Sequence, residues 1–104
     1  MNITIQSIHF TANADLLDFI QKKVQKLENF NNNIMNAEVY LKLEPSGTED
    51  NKISEIKINI PGATLFAKEQ CKSFEEATDL AVESITRQIR KQKTKEQPQS
   101  VSLD

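Results

Sequence analysis

Met35-Asn36-Ala37-Glu38-Val39-Tyr40-Leu41-Lys42-Leu43-Glu44 decides the fold, because apolar and polar residues alternate through it without a break. Met35, Ala37, Val39, Leu41 and Leu43 share one side. Asn36, Glu38, Tyr40, Lys42 and Glu44 share the other. A period of two over this length is a strand with one buried face. Such a sheet needs neighbouring strands at its edges and a layer of helix over its apolar side. The flanking sequence supplies both.

Downstream, Pro45 to Lys52 is a polar loop and reads as a hairpin connection. Ile56, Ile58 and Ile60 alternate with Glu55, Lys57 and Asn59 as a further strand. Pro61-Gly62 is a tight turn, since Pro presets its φ and Gly accepts a positive one. Ala63, Leu65 and Ala67 continue as a last strand, running to Glu69 or Gln70. Ser73-Phe74-Glu75-Glu76 is a capping box, with a Ser hydroxyl for orphan amides and Glu at the reciprocal position. The helix it opens buries Phe74, Ala77, Ala81, Ile85 and Ile89, flanked by Leu80 and Val82. No Gly or Pro interrupts it before Pro98, so it is predicted to reach Lys93 or Lys95.

Upstream, Ile3 and Ile5 alternate in one phase and Ile8 and Phe10 in the other. This predicts a first strand with a bulge near Gln6-Ser7. Asn13 is the expected cap of a helix of about four turns. Leu16, Phe19, Ile20, Val24 and Leu27 form its apolar stripe, with Phe30 closing it. Asn31-Asn32-Asn33 is expected to end it through a left-handed residue. The order is strand, helix, three strands, helix: an α+β domain, β-α-β-β-β-α. The three later strands make an antiparallel meander, and the first joins through a crossover, parallel to its neighbour. Both helices carry a single apolar stripe, so both belong on one face of a four-stranded sheet.

Composition narrows the chemistry. The chain has 104 residues, which fits one domain. No apolar run approaches the roughly 20 residues of a spanning helix, so no membrane role is expected. Met1-Asn2-Ile3-Thr4-Ile5-Gln6 lacks the basic flank and apolar core of a secretory signal. Cys71 is the one cysteine and His9 the one histidine, which leaves no thiolate pair or His cluster for a structural metal. An unstapled domain of this size points to a reducing compartment, the cytoplasm. His9 is read as a surface or sheet-edge residue, and Cys71 as a small structural thiol, although a helix N-terminus beside it favours thiolate. Gly47 and Gly62 are the two glycines, too few for a phosphate-binding loop. A small enzyme of acylphosphatase size needs an Arg in such a loop, and the first 86 residues contain none. No catalytic residue, cofactor, metal or small-molecule substrate is expected.

Charge is the strongest functional signal. The net charge is −2, but residues 1–85 carry 8 basic and 13 acidic groups, while residues 86–95 carry 5 basic and none acidic. The outer face of the second helix runs Glu76, Asp79, Glu83 and then Arg87, Arg90. Acids at the start and bases at the end suit the helix dipole, and Glu83 with Arg87 is a favourable i,i+4 pair. Dipole matching does not account for Arg87, Arg90, Lys91, Lys93 and Lys95 within nine positions. With Lys22, Lys23 and Lys26 of the first helix alongside, the pattern points to an anionic partner.

Set beside known families, the chain resembles the short form of the bacterial ribosome hibernation-promoting factors, or ribosome-associated inhibitors, which are sigma-54 modulation protein-like. The resemblance rests on the order and spacing of Asn2-Ile3-Thr4-Ile5, Lys26-Leu27-Glu28 and Val39-Tyr40-Leu41-Lys42. Pro61-Gly62-Ala63-Thr64-Leu65, Ala77-Thr78-Asp79 and Arg87-Gln88-Ile89-Arg90-Lys91 continue it, over about residues 1–95. It implies a fold like that of the double-stranded RNA-binding domain, with residues 1–95 as a ribosome-binding domain and residues 96–104 as a disordered tail. It also implies a non-enzymatic factor on the small ribosomal subunit, in the mRNA and tRNA channel. Such a factor inhibits translation in stationary phase or starvation and is monomeric off the ribosome. Carried over by position, rRNA contacts fall to Lys22, Lys23, Lys26, Arg87, Arg90, Lys91, Lys93 and Lys95. Many members begin the second helix with Asp-Met-Tyr; Ser73-Phe74-Glu75 here keeps the cap and lacks the tyrosine. The long form's second, dimerising domain is not expected in a chain of this length. The alternative is a protein-interaction module modulating a sigma factor, suggested by the acidic surface of Glu44, Glu49, Asp50 and Glu55.

Overall fold

A computed structural model describes residues 1–45 and 49–96, with residues 93–96 described as backbone alone. The elements are β1 (Asn2–Ser7), α1 (Ala14–Gln25), a 3-10 turn (Lys26–Asn29), β2 (Asn36–Leu43), β3 (Lys52–Ile60), β4 (Ala63–Cys71) and α2 (Phe74–Glu96). The strands lie in the order β1-β2-β3-β4, with β1 parallel to β2 and the remaining pairs antiparallel. This is the α+β arrangement expected from the periodicities.

The core lies between the sheet and the two helices. Ala37, Val39 and Leu41 of β2, Ile56, Ile58 and Ile60 of β3, and Leu65 and Ala67 of β4 face Leu16, Ile20 and Val24 of α1. Phe74, Ala81, Ile85 and Ile89 complete it from α2. Each fully buried aliphatic side chain contributes about 1.5–3 kcal/mol of burial, so this cluster is the main stabilising term. The other face of the sheet is mostly polar, with Ile53 and Phe66 as its apolar members. Across it Lys42 bonds Glu55 at 2.9 Å, and Thr64 donates to Asn59 at 3.0 Å.

Local chemistry sets the boundaries. Asn13 Oδ1 accepts the Leu16 amide at 2.8 Å and opens α1. Ser73 Oγ accepts the Glu76 amide at 3.1 Å and opens α2. Gly62 takes φ +82° in the Pro61-Gly62 turn, and Ile60 pairs with Ala63 on either side of it. A Cβ at Gly62 meets no atom within 4 Å, so the demand for glycine there is purely a backbone one.

Several expectations give way. There is no bulge at Gln6-Ser7: β1 stays in register to Ser7–Leu41, and the Ile8 amide still reaches the Leu41 carbonyl at 2.9 Å. The phase shift arises one residue later, where His9 takes φ +67° and turns the chain out of the sheet. Phe10 then stacks on Phe74, with ring centroids 5.1 Å apart. α1 is shorter than four turns and tightens into the 3-10 turn. The asparagine run after it is not left-handed; Asn31 Oδ1 instead accepts the Asn33 amide at 2.7 Å in an Asx turn. Met35 and Leu43, the outermost apolar residues of the deciding stretch, are exposed because the helices cover only the middle of the sheet. β3 starts earlier than the alternation suggested, since a polar residue, Ser54, occupies an inward position. Its hydroxyl meets that of Thr78 at 3.1 Å, both fully buried, so each satisfies the other. Helix α2 also continues through Glu96, the first residue assigned to the tail; residues 97–104 lie outside the described ones.

Candidate nucleic-acid interface

Helices α1 and α2 pack side by side on the same sheet face and run in the same direction. Two contacts fix this alignment: Lys23 Nζ reaches Asp79 Oδ1 at 2.8 Å, and, past the end of α1 and its 3-10 turn, the Arg90 guanidinium of α2 lies 5.4 Å from the centre of the Phe30 ring. The first two turns of α2 therefore lie against α1 itself. Its basic stretch lies beside and beyond the end of α1.

The eight cations singled out by sequence fall into distinct settings. Lys22 pairs with Asp18 one turn back at 3.0 Å, in the open. Lys23 is half-buried; besides Asp79 it has its ammonium 5.7 Å from the centre of the Phe19 ring. It therefore ties the helices together. Lys26 is exposed at the start of the 3-10 turn, one turn before Phe30. Arg87, Arg90 and Lys91 are all exposed on α2. Arg90 faces α1. Lys91, three residues after Gln88, lies toward the opposite flank, because Gln88 donates its amide to the Phe66 carbonyl on β4 at 2.8 Å. Lys93 and Lys95 belong to the backbone of α2, and their side chains lie outside the described residues. So Lys26, Arg87 and Arg90 are exposed toward one end of the helix pair, Lys91 extends that end sideways, Lys23 is tied to Asp79, and Lys22 makes a solvent-exposed pair with Asp18.

The expected Glu83–Arg87 pair does not form: among the described residues no ion pair joins them. Instead both line a groove of about 310 Å³ with Val82, Thr86 and Arg90. Sequence reasoning passed over Phe30 as a platform for Arg90 and Thr86 as part of the groove floor. The Val82-Thr86-Arg90 spacing of four residues was the available signal, since it puts the three on one row.

Catalytic alternatives gain nothing from the geometry. His9 is exposed. Cys71 is buried, and burial pushes its thiol up from the usual range, with Glu76, Glu69 and Asp50 adding to the shift. Carboxylates thus oppose the thiolate-favouring influence of the nearby helix start. The Tyr40 hydroxyl bonds Glu38 at 2.7 Å, a contact that raises its pKa as well. Among the described residues no three His, Cys, Asp or Glu side chains are grouped to hold a metal ion, and no helix is long and apolar enough to cross a membrane.

Comparison with known proteins bears on the whole of this surface. The family model described as "Sigma 54 modulation protein / S30EA ribosomal protein" matches residues 3–97, a span that contains all eight cations. The chain belongs to this family. Among curated members, the ribosome hibernation promotion factor of Bacillus subtilis (strain 168) is 30% identical over 95 residues, covering 91% of this chain and 50% of that protein. The factor of the same name from Staphylococcus aureus (strain COL) is 30% identical over 93 residues, covering 88% of this chain and 47% of the other. The chain spans about half the length of these curated relatives. Two solved structures share the fold. A ribosomal subunit interface protein from Coxiella burnetii superposes with a TM-score of 0.80 at 19% identity, over 90% of this chain and 99% of that one. The N-terminal domain of Thermus thermophilus Protein Y gives 0.76 at 23% identity, over 88% and 98%.

Proposed function

We propose that this member of the family binds the small ribosomal subunit through its rRNA, in the channel used by mRNA and tRNA. There it would keep translation silent during stationary phase or starvation. The observation that carries the reading is the gathering of Lys26, Arg87 and Arg90 at one end of the helix pair, extended by Lys91. Family membership, and relatives that carry the name of ribosome hibernation promotion factors, support the ribosome as the partner. The action is occupancy without bond-making, and it is carried out where ribosomes are, in the cytoplasm. Lys93 and Lys95 extend the same contact along α2. Folded RNA is held by shape and backbone, which suits lysines and arginines on a helical surface.

Co-sedimentation with ribosomes tests this. The protein is expected in the small-subunit fraction at low salt and is expected to leave it as salt rises. With six phosphate contacts, affinity falls about 10³-fold between 50 and 200 mM salt. Absence from the small-subunit fraction at low salt overturns the reading. Retention that survives both high salt and nuclease favours the protein-interaction alternative.

A further inference from the structure

The groove on α2 has a composition that backbone binding alone does not require. Val82, Thr86 and Arg90 form one row along the helix, and Glu83 and Arg87 form the next. The Thr86 hydroxyl donates to the Val82 carbonyl at 2.9 Å. With that hydroxyl engaged, Val82 and Thr86 offer the groove mainly methyl surface. Two arginines stand at its far end, one of them over the Phe30 ring. Glu83 stands at the near end, exposed, in no ion pair among the described residues. A carboxylate repels phosphate, so its place in a phosphate-binding surface calls for a different complement.

We propose that this groove holds one unpaired guanosine nucleotide of the folded RNA, with Glu83 as the residue that selects the base. The inference rests on the RNA-binding reading above and deepens it. An ionised carboxylate is an acceptor with two oxygens, and two side-by-side donors satisfy it best. Guanine offers them on its Watson–Crick edge, at N1–H and the N2 amino group. Adenine and cytosine each set a donor beside an acceptor there, and uracil sets one donor between two carbonyls. Unpaired bases in loops and bulges are the ones proteins read on that edge. The base lies over the methyl floor while its phosphate meets Arg87 and Arg90. From Glu83 to Arg90 the helix rises about 10 Å at 1.5 Å per residue. That span matches the reach from a purine's Watson–Crick edge to its own 5′-phosphate. The groove, about 310 Å³ and open to solvent, leaves one nucleotide accessible on its outer side.

The test is an NMR titration of the full chain with GMP, AMP, CMP, UMP and inorganic phosphate, following the amides of residues 82–90. GMP is expected to shift them about tenfold more tightly than the other nucleotides. Glu83→Gln is expected to abolish that preference, and Arg87→Ala to weaken all four nucleotides alike, with dispersed spectra showing that both variants stay folded. Inorganic phosphate reproducing the GMP shifts at equal concentration overturns the proposal, as does a nucleotide order unchanged in Glu83→Gln. Ribosome co-sedimentation of the unmodified protein, run in parallel, separates the two levels. Binding to ribosomes without guanosine preference removes this inference alone, whereas no binding to ribosomes removes the reading beneath it.

Discussion

The two halves of α2 carry opposite charge and are used differently: Glu75, Glu76, Asp79 and Glu83 lie in the first, and Arg87, Arg90, Lys91, Lys93 and Lys95 in the second. In the first half several polar groups are engaged within the domain, while Glu75 and Glu76 stay exposed. Thr78 meets Ser54 in the core, Asp79 holds Lys23 of α1, and Ser73 caps the helix start. In the second half the apolar stripe continues through Ile85 and Ile89, but Arg87, Arg90 and Lys91 face outward. The first half anchors the helix and the second half presents charge. Among the lysines of α1, Lys23 is tied to Asp79 across the helix pair while Lys26 is exposed, so place in the packing and not residue type sets what a cation can do.

Reversing the charge of the presenting half is expected to have the largest effect. Arg87→Glu, Arg90→Glu and Lys91→Glu together should lower ribosome affinity at least 10³-fold, read by co-sedimentation, while circular dichroism stays native. Loss of fold instead would dissolve the division between the halves. Next in size is the anchoring half. Ser54→Ala leaves the Thr78 hydroxyl buried without its partner and should cost about 1–3 kcal/mol in a denaturant melt. Pairing it with Thr78→Val should cost less than the two single changes added together. A smaller effect separates the lysines of α1. Lys26→Gln should weaken ribosome binding several-fold, whereas Lys22→Gln and Lys23→Gln leave it nearly unchanged. Correspondingly, the slope of log affinity against log salt should be about −4 to −5, as six contacts give, and not the −6 to −7 of eight. The smallest effect is on stability. Lys23→Ala removes a half-exposed ion pair between the helices and should cost about 0.5 kcal/mol, measured as a shift in denaturant midpoint.

Much of the architecture was legible in the chain because periodicity reports directly on burial. Val39 and Leu41, Ile56 and Ile58, Leu65 and Ala67 alternate because one sheet face is covered, and Ala77, Ala81, Ile85 and Ile89 recur because one helix face is. Where the pattern misled, a side chain had found an unexpected partner. Ser54 broke the alternation of β3 because Thr78, distant in sequence, completes its hydrogen bond. Phe10 read as strand because it is apolar, yet it serves as a stacking partner for Phe74 after His9 redirects the backbone. The site was less legible still. Lys22 has Asp18 four residues back within α1, a pairing legible in the sequence, whereas only the packing of α1 against α2 separates Lys23 from Lys26.

Strand and helix order, the covered face of the sheet, the caps at Asn13 and Ser73, and the gathering of positive charge after Ile85 were determined by residue order, because each depends on neighbours a few positions apart. Tertiary structure decided the tie between Lys23 and Asp79 and the alignment of Arg90 on Phe30. These depend on contacts between helices separated by three strands of chain, where geometry and Coulomb attraction act across space and leave no trace in local spacing.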